Sequence, residues 1–365
     1  MTCPAAPDTT TPRNLHPVTG AVPPALSPQP APHTNAAHPA EGGRRAIRRL
    51  AVAAGCSLLF YVVLFGLLLD RPLSLGFLQG QIEAKLARAA TLSGRKLVIL
   101  AGSNGPYSHR CEAIEPILKL PCVNGGVAVG IGLDYLFARW ERLLRTGDLV
   151  YLPMEEAQYV RTRAATLAGP DAAIMLRQDR TTLASLPVDR WLGAVFSGDL
   201  RAAGMSVLEM ALSRTGFHDP RAAATGWTNA WGDHAGHTEA LAQPNAGVLA
   251  TLRPTHPGAT AIQGGDGAAA IVAFLVWARA HGVDAIGGLP TGFADAPIPP
   301  DTLAAIRAVY EDHGARFLLL PNQSRYPRSA FFDSADHLNE TAQIVHSKLV
   351  ARALSGSGTL AEAGR

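Results

Sequence analysis

Residues 50–69 form an apolar run without a single charged side chain, and this run restricts the fold more than any other feature of the sequence. About 20 such residues are what an α-helix needs to cross the hydrocarbon core of a bilayer. A helix buried in a globular core rarely lacks a polar face over this length. The run therefore predicts a single transmembrane helix, with membrane contact through residues 50–69.

The charges that flank this run predict its orientation. Four arginines lie within residues 44–49, whereas only Asp70 and Arg71 follow the run closely. Because positive charge accumulates on the cytoplasmic side, residues 44–71 are predicted to be a signal anchor, with residues 72–365 outside the cytoplasm. A cleaved signal peptide is the alternative, but its apolar region usually has ~7–15 residues and precedes an A-x-A-like site, which does not follow directly here.

The composition of the remaining chain narrows the functional classes. Residues 1–43 are rich in Pro, Ala, Thr and His and lack apolar periodicity, which predicts a disordered cytoplasmic tail. The net charge is +3, but much of the excess lies within residues 44–49 and aromatic residues are few, so nucleic acid is not expected as a partner. The chain has no glycine-rich phosphate loop and no Cys/His ladder with zinc spacing, so neither a cofactor nor a metal is predicted.

Beyond the anchor, short apolar runs alternate with helical patterns. The predicted strands are KLVILA at 96–101, PCVNGG at 121–126, DLVYLP at 148–153, DAIGGLP at 284–290 and ARFLLLP at 315–321. The predicted helices lie at 130–145, 267–282, 301–313 and 340–354. This alternation predicts an α/β fold with a parallel sheet covered on both faces. Residues 156–266 interrupt it and are predicted to be a large insertion over the carboxyl edge of the sheet, where it supplies substrate contacts.

Two features of the folded part have more than one interpretation. Cys111 and Cys122 would pair in an oxidising compartment, yet a helix between them would hold their Cα atoms beyond the ~7 Å limit for a disulfide. The sequence leaves this pairing open. In WGDHAGH at 231–237, Asp233, His234 and His237 have spacing that a metal site could use, but the neighbouring glycines favour a solvent-exposed loop.

Ser103 lies in a small glycine-flanked turn, AGSNG at 101–105, directly after the first predicted strand. Such a turn at the carboxyl end of a strand lets a side-chain oxygen project into the crevice of an open sheet. N–H groups at the entrance of the next helix, predicted to begin near Ser108, would point at developing negative charge. The position suits a serine nucleophile; the alternative is that Ser103 only ends the strand or caps the helix.

A second polar group, FFDSADHLN at 331–339, follows the last predicted strand and precedes the final helix. His337 reaches the same edge of the sheet as Ser103, and a carboxylate could hold its imidazole in the tautomer that accepts the serine proton. Asp336 is adjacent to His337, so its side chain should diverge, whereas Asp333 has enough loop to fold back. Asp333 is therefore the predicted acid, and Asp336 or Asn339 is available to cap the final helix.

Four sequence blocks occur in order: GSN at 102–104, NGG at 124–126, GDLV at 147–150, and FDS at 332–334 leading to HLN at 337–339. In their order and spacing these blocks resemble those of the SGNH/GDSL hydrolase superfamily. The resemblance covers about residues 96–153 and 267–354. It is nearest to bacterial membrane-anchored members linked to exopolysaccharide modification. It implies a flavodoxin-like/SGNH three-layer sandwich with a parallel sheet, carried on an N-terminal transmembrane helix and interrupted by the large insertion.

The resemblance also implies roles for individual residues. The implied catalytic residues are Ser103, Asp333 and His337. The implied oxyanion hole consists of the backbone N–H of Ser103 with that of Gly125 or Gly126, and the implied pocket residues are Asn104, Asn124 and Glu155. Two positions depart from the family pattern: the acid and histidine are spaced D-x-x-x-H rather than D-x-x-H, and Glu155 or Glu156 stands where a G-x-N-D block would fall. A carboxyl group donates a hydrogen bond only when protonated, so the predicted oxyanion hole is incomplete.

The resemblance and the anchor together imply serine-dependent acyl transfer or ester hydrolysis on a cell-surface or secreted polysaccharide, such as cellulose, during its biosynthesis. The implied enzyme is an SGNH-type esterase or O-acyltransferase, single-pass in the bacterial inner membrane, with its main domain in the periplasm. Its implied substrate is a polysaccharide or acyl-sugar, and its implied partner is a membrane-bound O-acyltransferase. The alternative is a catalytically inactive SGNH-like glycan-binding or scaffold component of a polysaccharide synthesis or export complex.

Overall fold

A computed structural model describes residues 39–64, 73–196, 211, 214–215 and 228–356. The chain divides into two compact units, residues 1–56 and 57–365. Within the first unit, the described residues belong to the helix Pro39–Val63. The helix includes residues that were predicted to be the end of a disordered tail, because Ala, Glu and Arg favour helix and a proline is tolerated at a helix start. Residues 1–38 of that predicted tail lie outside the described residues.

The structure describes only part of the predicted membrane span, residues 50–64. Among the helices formed by the described residues, none combines the length and the hydropathy that spanning a bilayer requires. Residues 65–69 of the predicted span lie outside the described ranges.

The second unit contains a five-stranded parallel sheet with the strand order β2-β1-β3-β4-β6. A separate parallel pair is formed by β5 and β7. The strands are β1 (Leu97–Ile99), β2 (Cys122–Asn124), β3 (Leu149–Leu152), β4 (Asp284–Gly288), β5 (Gly292–Phe293), β6 (Arg316–Leu318) and β7 (Arg325–Tyr326). All five predicted strand runs are confirmed, and together they form the large sheet.

Helices surround this sheet. They are Leu73–Thr91, Asn104–Ser108, Cys111–Leu118, Leu133–Glu141, Glu156–Tyr159, Arg163–Leu167, Pro170–Gln178, Arg180–Ser185, Val188–Phe196, Glu239–Ala242, Ala246–Thr251, Ala259–Gly264, Asp266–Ala280, Pro300–Glu311 and Glu340–Gly356, with short 3-10 turns at Gln243–Asn245 and Arg328–Ala330. The four predicted helices are confirmed within a few residues of their predicted ends. The described parts of residues 156–266 consist mainly of short helices, which explains why that segment lacks strand–helix alternation.

Side chains of the central strands alternate between two cores. Val98 and Val150 belong to one cluster, which includes Phe274 of the helix Asp266–Ala280. Ile99 and Tyr151, which are paired in register across β1 and β3, belong to a second cluster that also contains residues of the helices Cys111–Leu118 and Glu340–Gly356. Successive residues of a strand point to opposite faces, so strands with no polar face require helices on both sides.

The strand order determines where a ligand site forms. Successive crossovers add strands on one side of β1 and then on the other, so the connections after β1 and β3 diverge. In open parallel sheets the crevice outside the carboxyl ends at such a switch point is the usual ligand site. Ser103 follows β1 and Glu155 follows β3, which brings these two residues to that crevice.

Cys111 and Cys122, whose pairing the sequence left open, form a disulfide with a Cα–Cα distance of 5.4 Å. The intervening helix, Cys111–Leu118, does not keep them apart, because the chain turns back immediately after it. Lys119 ends the helix in the left-handed conformation with φ of 54°. The following residues then lead into β2, whose first residue is Cys122.

Replacing both Cys111 and Cys122 by Ala is expected to lower the free energy of unfolding by roughly 3 kcal/mol, because the cross-link restricts the unfolded chain over a sequence separation of 11. Urea unfolding of the full chain in non-reducing detergent buffer measures the change. The matched control is Cys56→Ala, since Cys56 is unpaired and exposed. Coincident unfolding curves for the double variant and this control would contradict a stabilising cross-link.

Candidate active site

Ser103 is the N-cap of the helix Asn104–Ser108, but its side chain makes no capping hydrogen bond. The helix was predicted to begin near Ser108, and it instead ends there. It begins four residues earlier, at Asn104. Pro106 is compatible with this start, since it lies in the first helical turn, where a proline is tolerated. The Ser103 Oγ is left available and lies 2.8 Å from the Nε2 of His337.

The other ring nitrogen of His337 is bound to Asp333, with 2.7 Å between Nδ1 and Oδ1. A carboxylate at this nitrogen favours the tautomer with the proton on Nδ1, which leaves Nε2 free to accept the Ser103 proton. The structure therefore brings Ser103, His337 and Asp333 into one hydrogen-bonded chain, as the loop length predicted. Asn339 caps the final helix, since its Oδ1 accepts the N–H of Ala342 at 3.0 Å.

Asp336 has a different environment from Asp333. Its backbone carbonyl accepts hydrogen bonds from the hydroxyls of Ser108 and Thr291 at 2.7 and 2.8 Å. Burial and, secondarily, the negative charge of Glu155 raise the pKa of Asp336 to about 7. Its backbone anchors the loop that carries His337, whereas the carboxylate that orients His337 is that of Asp333.

Tyr107 holds the His337 ring from one face. The two rings stack with centroids 4.0 Å apart and an interplanar angle of 9°. Burial, followed by the negative charge of Asp333, raises the pKa of Tyr107 to about 12, so the phenol stays neutral. The sequence analysis missed this residue, although its position one helical turn after Ser103 places it near the same edge.

The segment WGDHAGH is buried, so its predicted solvent exposure was wrong. Asp233 and His237 are fully buried, and His234 is 5% exposed. Asp233 accepts hydrogen bonds from the Cys111 backbone N–H and from the Asn124 side chain. Hydrogen bonds to these partners, which are distant in sequence, hold the segment against the protein core. Among the described residues, no group of three or more His, Cys, Asp or Glu side chains is arranged to hold a metal ion.

The histidines of this segment are neutral components of the site. The ring centroid of His234 lies 4.1 Å from that of Tyr107, with the two planes tilted by 35°, and the ring centroid of His237 lies 5.4 Å from that of Tyr107. Burial is the largest cause that lowers the pKa of His237 to about 4 and that of His234 to about 3. The insertion thus contributes an uncharged aromatic wall behind Tyr107 and His337.

Glu155 occupies the side of Ser103 that faces the helix entrance. Its Oε1 accepts the Asn104 backbone N–H at 3.1 Å and lies 3.4 Å from the Ser103 Oγ. The side chain is buried, and this burial raises the pKa of the carboxyl group against the opposing effects of the Asn104 and Ser103 hydrogen bonds. A carboxyl oxygen therefore lies where an attacked carbonyl oxygen would approach the helix N–H groups.

Both predicted glycine donors already have hydrogen-bond partners. The N–H of Gly125 donates to the Ile99 carbonyl at 2.7 Å. The N–H of Gly126 donates to the side-chain oxygen of Asn124 at 3.2 Å. A Cβ on Gly126 would lie 2.9 Å from Gly105 Cα, which shows how closely the loop after β2 approaches the helix Asn104–Ser108.

The two predicted pocket asparagines are used in the framework. Asn104 Nδ2 donates to the Pro153 carbonyl at 2.7 Å, which ties the helix after β1 to the loop after β3. Asn124 Nδ2 donates to the carbonyls of Gly105 and His109, both at 2.9 Å. Neither amide nitrogen is directed at a substrate oxygen, and both instead connect the loops around Ser103.

Lys85 binds the loop that follows β2. Its Nζ donates to the Gly126 carbonyl. Burial lowers the pKa of this amine to about 7, while the nearby Asp233 acts in the opposite direction. The sequence analysis missed Lys85 because it lies on the helix Leu73–Thr91, far from every recognised block.

Comparison of the chain with protein-family models, with characterised protein sequences and with solved structures returns no match.

Proposed function

We propose that this chain is an SGNH-type serine esterase or O-acyltransferase that acts on a cell-surface or secreted polysaccharide. The observation that carries the proposal is the continuous hydrogen-bonded chain from the Ser103 Oγ through His337 to Asp333, with successive distances of 2.8 and 2.7 Å. Such a chain activates a serine oxygen as a nucleophile.

The proposed reaction has two steps. The Ser103 oxygen bonds to the acyl carbon as its proton passes to His337, and the resulting imidazolium gives that proton to the departing alcohol when the original ester bond breaks. Water or a sugar hydroxyl then gives its proton to His337 and bonds to the acyl carbon, and the imidazolium returns that proton to the Ser103 oxygen as the acyl–Ser103 bond breaks. Asp333 stabilises the imidazolium in both steps.

The fold supports the proposed relation to SGNH/GDSL hydrolases. In sheet numbering the strand order is 2-1-3-4-5, which is the flavodoxin-like order. Helices on both faces make this a three-layer sandwich of the kind implied by the resemblance to SGNH/GDSL hydrolases. The nucleophile after the first strand and the histidine before the last helix occupy the positions that this resemblance assigns to them.

We place the main domain in the bacterial periplasm, on a signal anchor that spans the inner membrane through residues 50–69. The disulfide between Cys111 and Cys122 supports an oxidising compartment, as does the charge asymmetry around the apolar run. In this location the substrate is an exopolysaccharide such as cellulose or its acyl-sugar units, and the proposed partner is a membrane-bound O-acyltransferase.

A second function is favoured by one observation. The Glu155 oxygen that accepts the Asn104 N–H occupies the oxyanion position, and a carboxylate there opposes the negative charge of a tetrahedral intermediate. This arrangement favours a catalytically inactive relative that binds glycan or forms the scaffold of a polysaccharide synthesis or export complex.

Replacing Ser103 by Ala is expected to abolish covalent labelling of the full chain by a fluorophosphonate probe, because the Ser103 hydroxyl is the one bound to the His337 Nε2, at 2.8 Å. In-gel fluorescence of the detergent-solubilised protein measures the label. The matched control is Ser185→Ala, whose hydroxyl donates to the Thr182 carbonyl on a distant helix; it should label like the wild type. Equal labelling of the Ser103 variant and the wild type would overturn the assignment of Ser103 as the nucleophile. An unlabelled wild type would favour the scaffold function.

A further inference from the structure

A cavity of about 240 Å³ lies beside the catalytic residues. Glu155, which contacts Ser103, forms part of its wall, as does Asp336, which directly precedes His337. The cavity is smaller than the ~300–1,000 Å³ typical of pockets for drug-sized ligands. Its size therefore suits a single compact group held next to the nucleophile.

The most informative side chain in this cavity is Arg325. Its side chain is 9% exposed, and the Glu156 Oε1 lies 4.0 Å from its Nη2. Within the described part of the chain, the buried Nε and Nη2 of Arg325 have no hydrogen-bond partner. Buried donors without partners are costly and uncommon in folded proteins, so these two N–H groups indicate a ligand that accepts hydrogen bonds in the cavity.

The charges around the cavity restrict the chemistry of this ligand. Besides Arg325, the wall contains the carboxyl groups of Glu155, Glu156 and Asp336. Glu156 is bound to the ring of His256 at 2.8 Å. An anionic ligand would gain one guanidinium but face three carboxyl groups, whereas a hydroxyl group accepts from the guanidinium and donates to a carboxyl oxygen.

The same wall disfavours a long acyl chain as the occupant. Burying hydrocarbon against the unpaired guanidinium and the carboxyl groups would leave those groups without water or a partner, which carries a large desolvation cost. The apolar part of the wall consists of small or rigid groups, which offer a surface for the carbon face of a sugar: Ala157, Pro254, Phe293, Ala296 and Ala335. A polyol with one flat apolar face satisfies both parts of the wall.

We propose that this cavity binds one neutral sugar ring of the substrate, with ring hydroxyls on Arg325 and the surrounding carboxyl groups and the ester-bearing oxygen toward Ser103. This inference rests on the proposed function and adds to it the substrate class and the residues that select it. Arg325 is then a specificity-determining residue, and an acyl chain would have to lie outside this cavity.

Binding is tested on the full chain carrying Ser103→Ala, so that no turnover occurs. Isothermal titration with neutral cellotetraose, mannotetraose and galactotetraose should give saturable binding for at least one, and tetragalacturonate should bind more weakly. Adding Arg325→Met should weaken the neutral ligand about tenfold or more, as expected for a lost hydrogen bond to a charged group. The matched control is Arg307→Met, since Arg307 is exposed and paired with Glu311.

Three outcomes would overturn the inference: no saturable binding of any neutral probe, tighter binding of tetragalacturonate, or equal effects of the Arg325 and Arg307 variants. These outcomes are separate from the labelling result, because binding to the Ser103 variant requires no chemistry. If Arg325→Met lowers the melting temperature enough to prevent the titration, Gly292→Ala provides the test. An added Cβ there would lie 1.4 Å from the Arg325 Nη1, so it must displace the guanidinium and should weaken the same neutral ligand.

Discussion

Replacing Asp333 by Asn is expected to lower kcat for a small acetyl ester by about 10³–10⁴-fold, the loss that follows removal of the orienting acid in serine triads. The Asp333 carboxylate is 2.7 Å from the His337 Nδ1. An amide can present its NH₂ group to that nitrogen, which favours the opposite tautomer and places the ring proton on the Nε2 that must accept the Ser103 proton. Steady-state hydrolysis of p-nitrophenyl acetate by the full chain measures the change.

The matched control for this prediction is Asp312→Asn, an exposed aspartate at the end of the helix Pro300–Glu311. It carries the same chemical change far from the site and should leave kcat within about twofold of the wild type. A loss of less than about tenfold in the Asp333 variant would show that His337 does not depend on this carboxylate.

Replacing Glu155 by Gln is expected to raise kcat by about 10- to 100-fold at pH values above the pKa of Glu155, because one oxyanion donor is worth ~10²–10³ in other serine enzymes. In the wild type, burial raises the pKa of Glu155 above its usual value. Below this raised pKa the carboxyl group is neutral and can donate to an oxyanion. Above it, the ionised oxygen retains the Asn104 N–H bond and repels the developing charge, so activity should fall as the pH rises.

The pH–rate profile distinguishes this role from a merely structural one. Gln does not ionise, so the variant should lose the fall in activity that accompanies ionisation of Glu155. Glu311→Gln, at an exposed glutamate, should reproduce the wild-type profile. A Glu155 variant that keeps this fall, or that has lower activity across the whole pH range, would contradict an inhibitory carboxylate.

The sequence by itself was sufficient to predict the sheet and the meeting of Ser103, His337 and Asp333. Short runs such as LVI of β1 and LVYL of β3 are apolar at every position, and such strands need helices on both faces. Because the chain leaves parallel strands at one edge, Ser103 and His337 were expected to meet there, and loop length selected Asp333 over Asp336.

Other parts of the site depend on partners far away along the chain. Asp233 is buried because the backbone N–H of Cys111 and the side-chain amide of Asn124 donate to it, although its segment contains two glycines typical of an exposed loop. The predicted oxyanion donor Gly125 is bonded to Ile99, which no local pattern indicates.

The spacing of apolar residues thus determined which segments became strands and helices, because this spacing indicates which side chains are buried. It also determined which edge of the sheet carries the polar loops. Only the tertiary structure decided that Glu155 accepts the Asn104 N–H beside Ser103, that Cys111 pairs with Cys122, and that Arg325 lines a cavity with unpaired donors. The physical reason is that hydrogen-bond partners and burial at these residues come from segments that are distant in sequence and meet only in the folded chain.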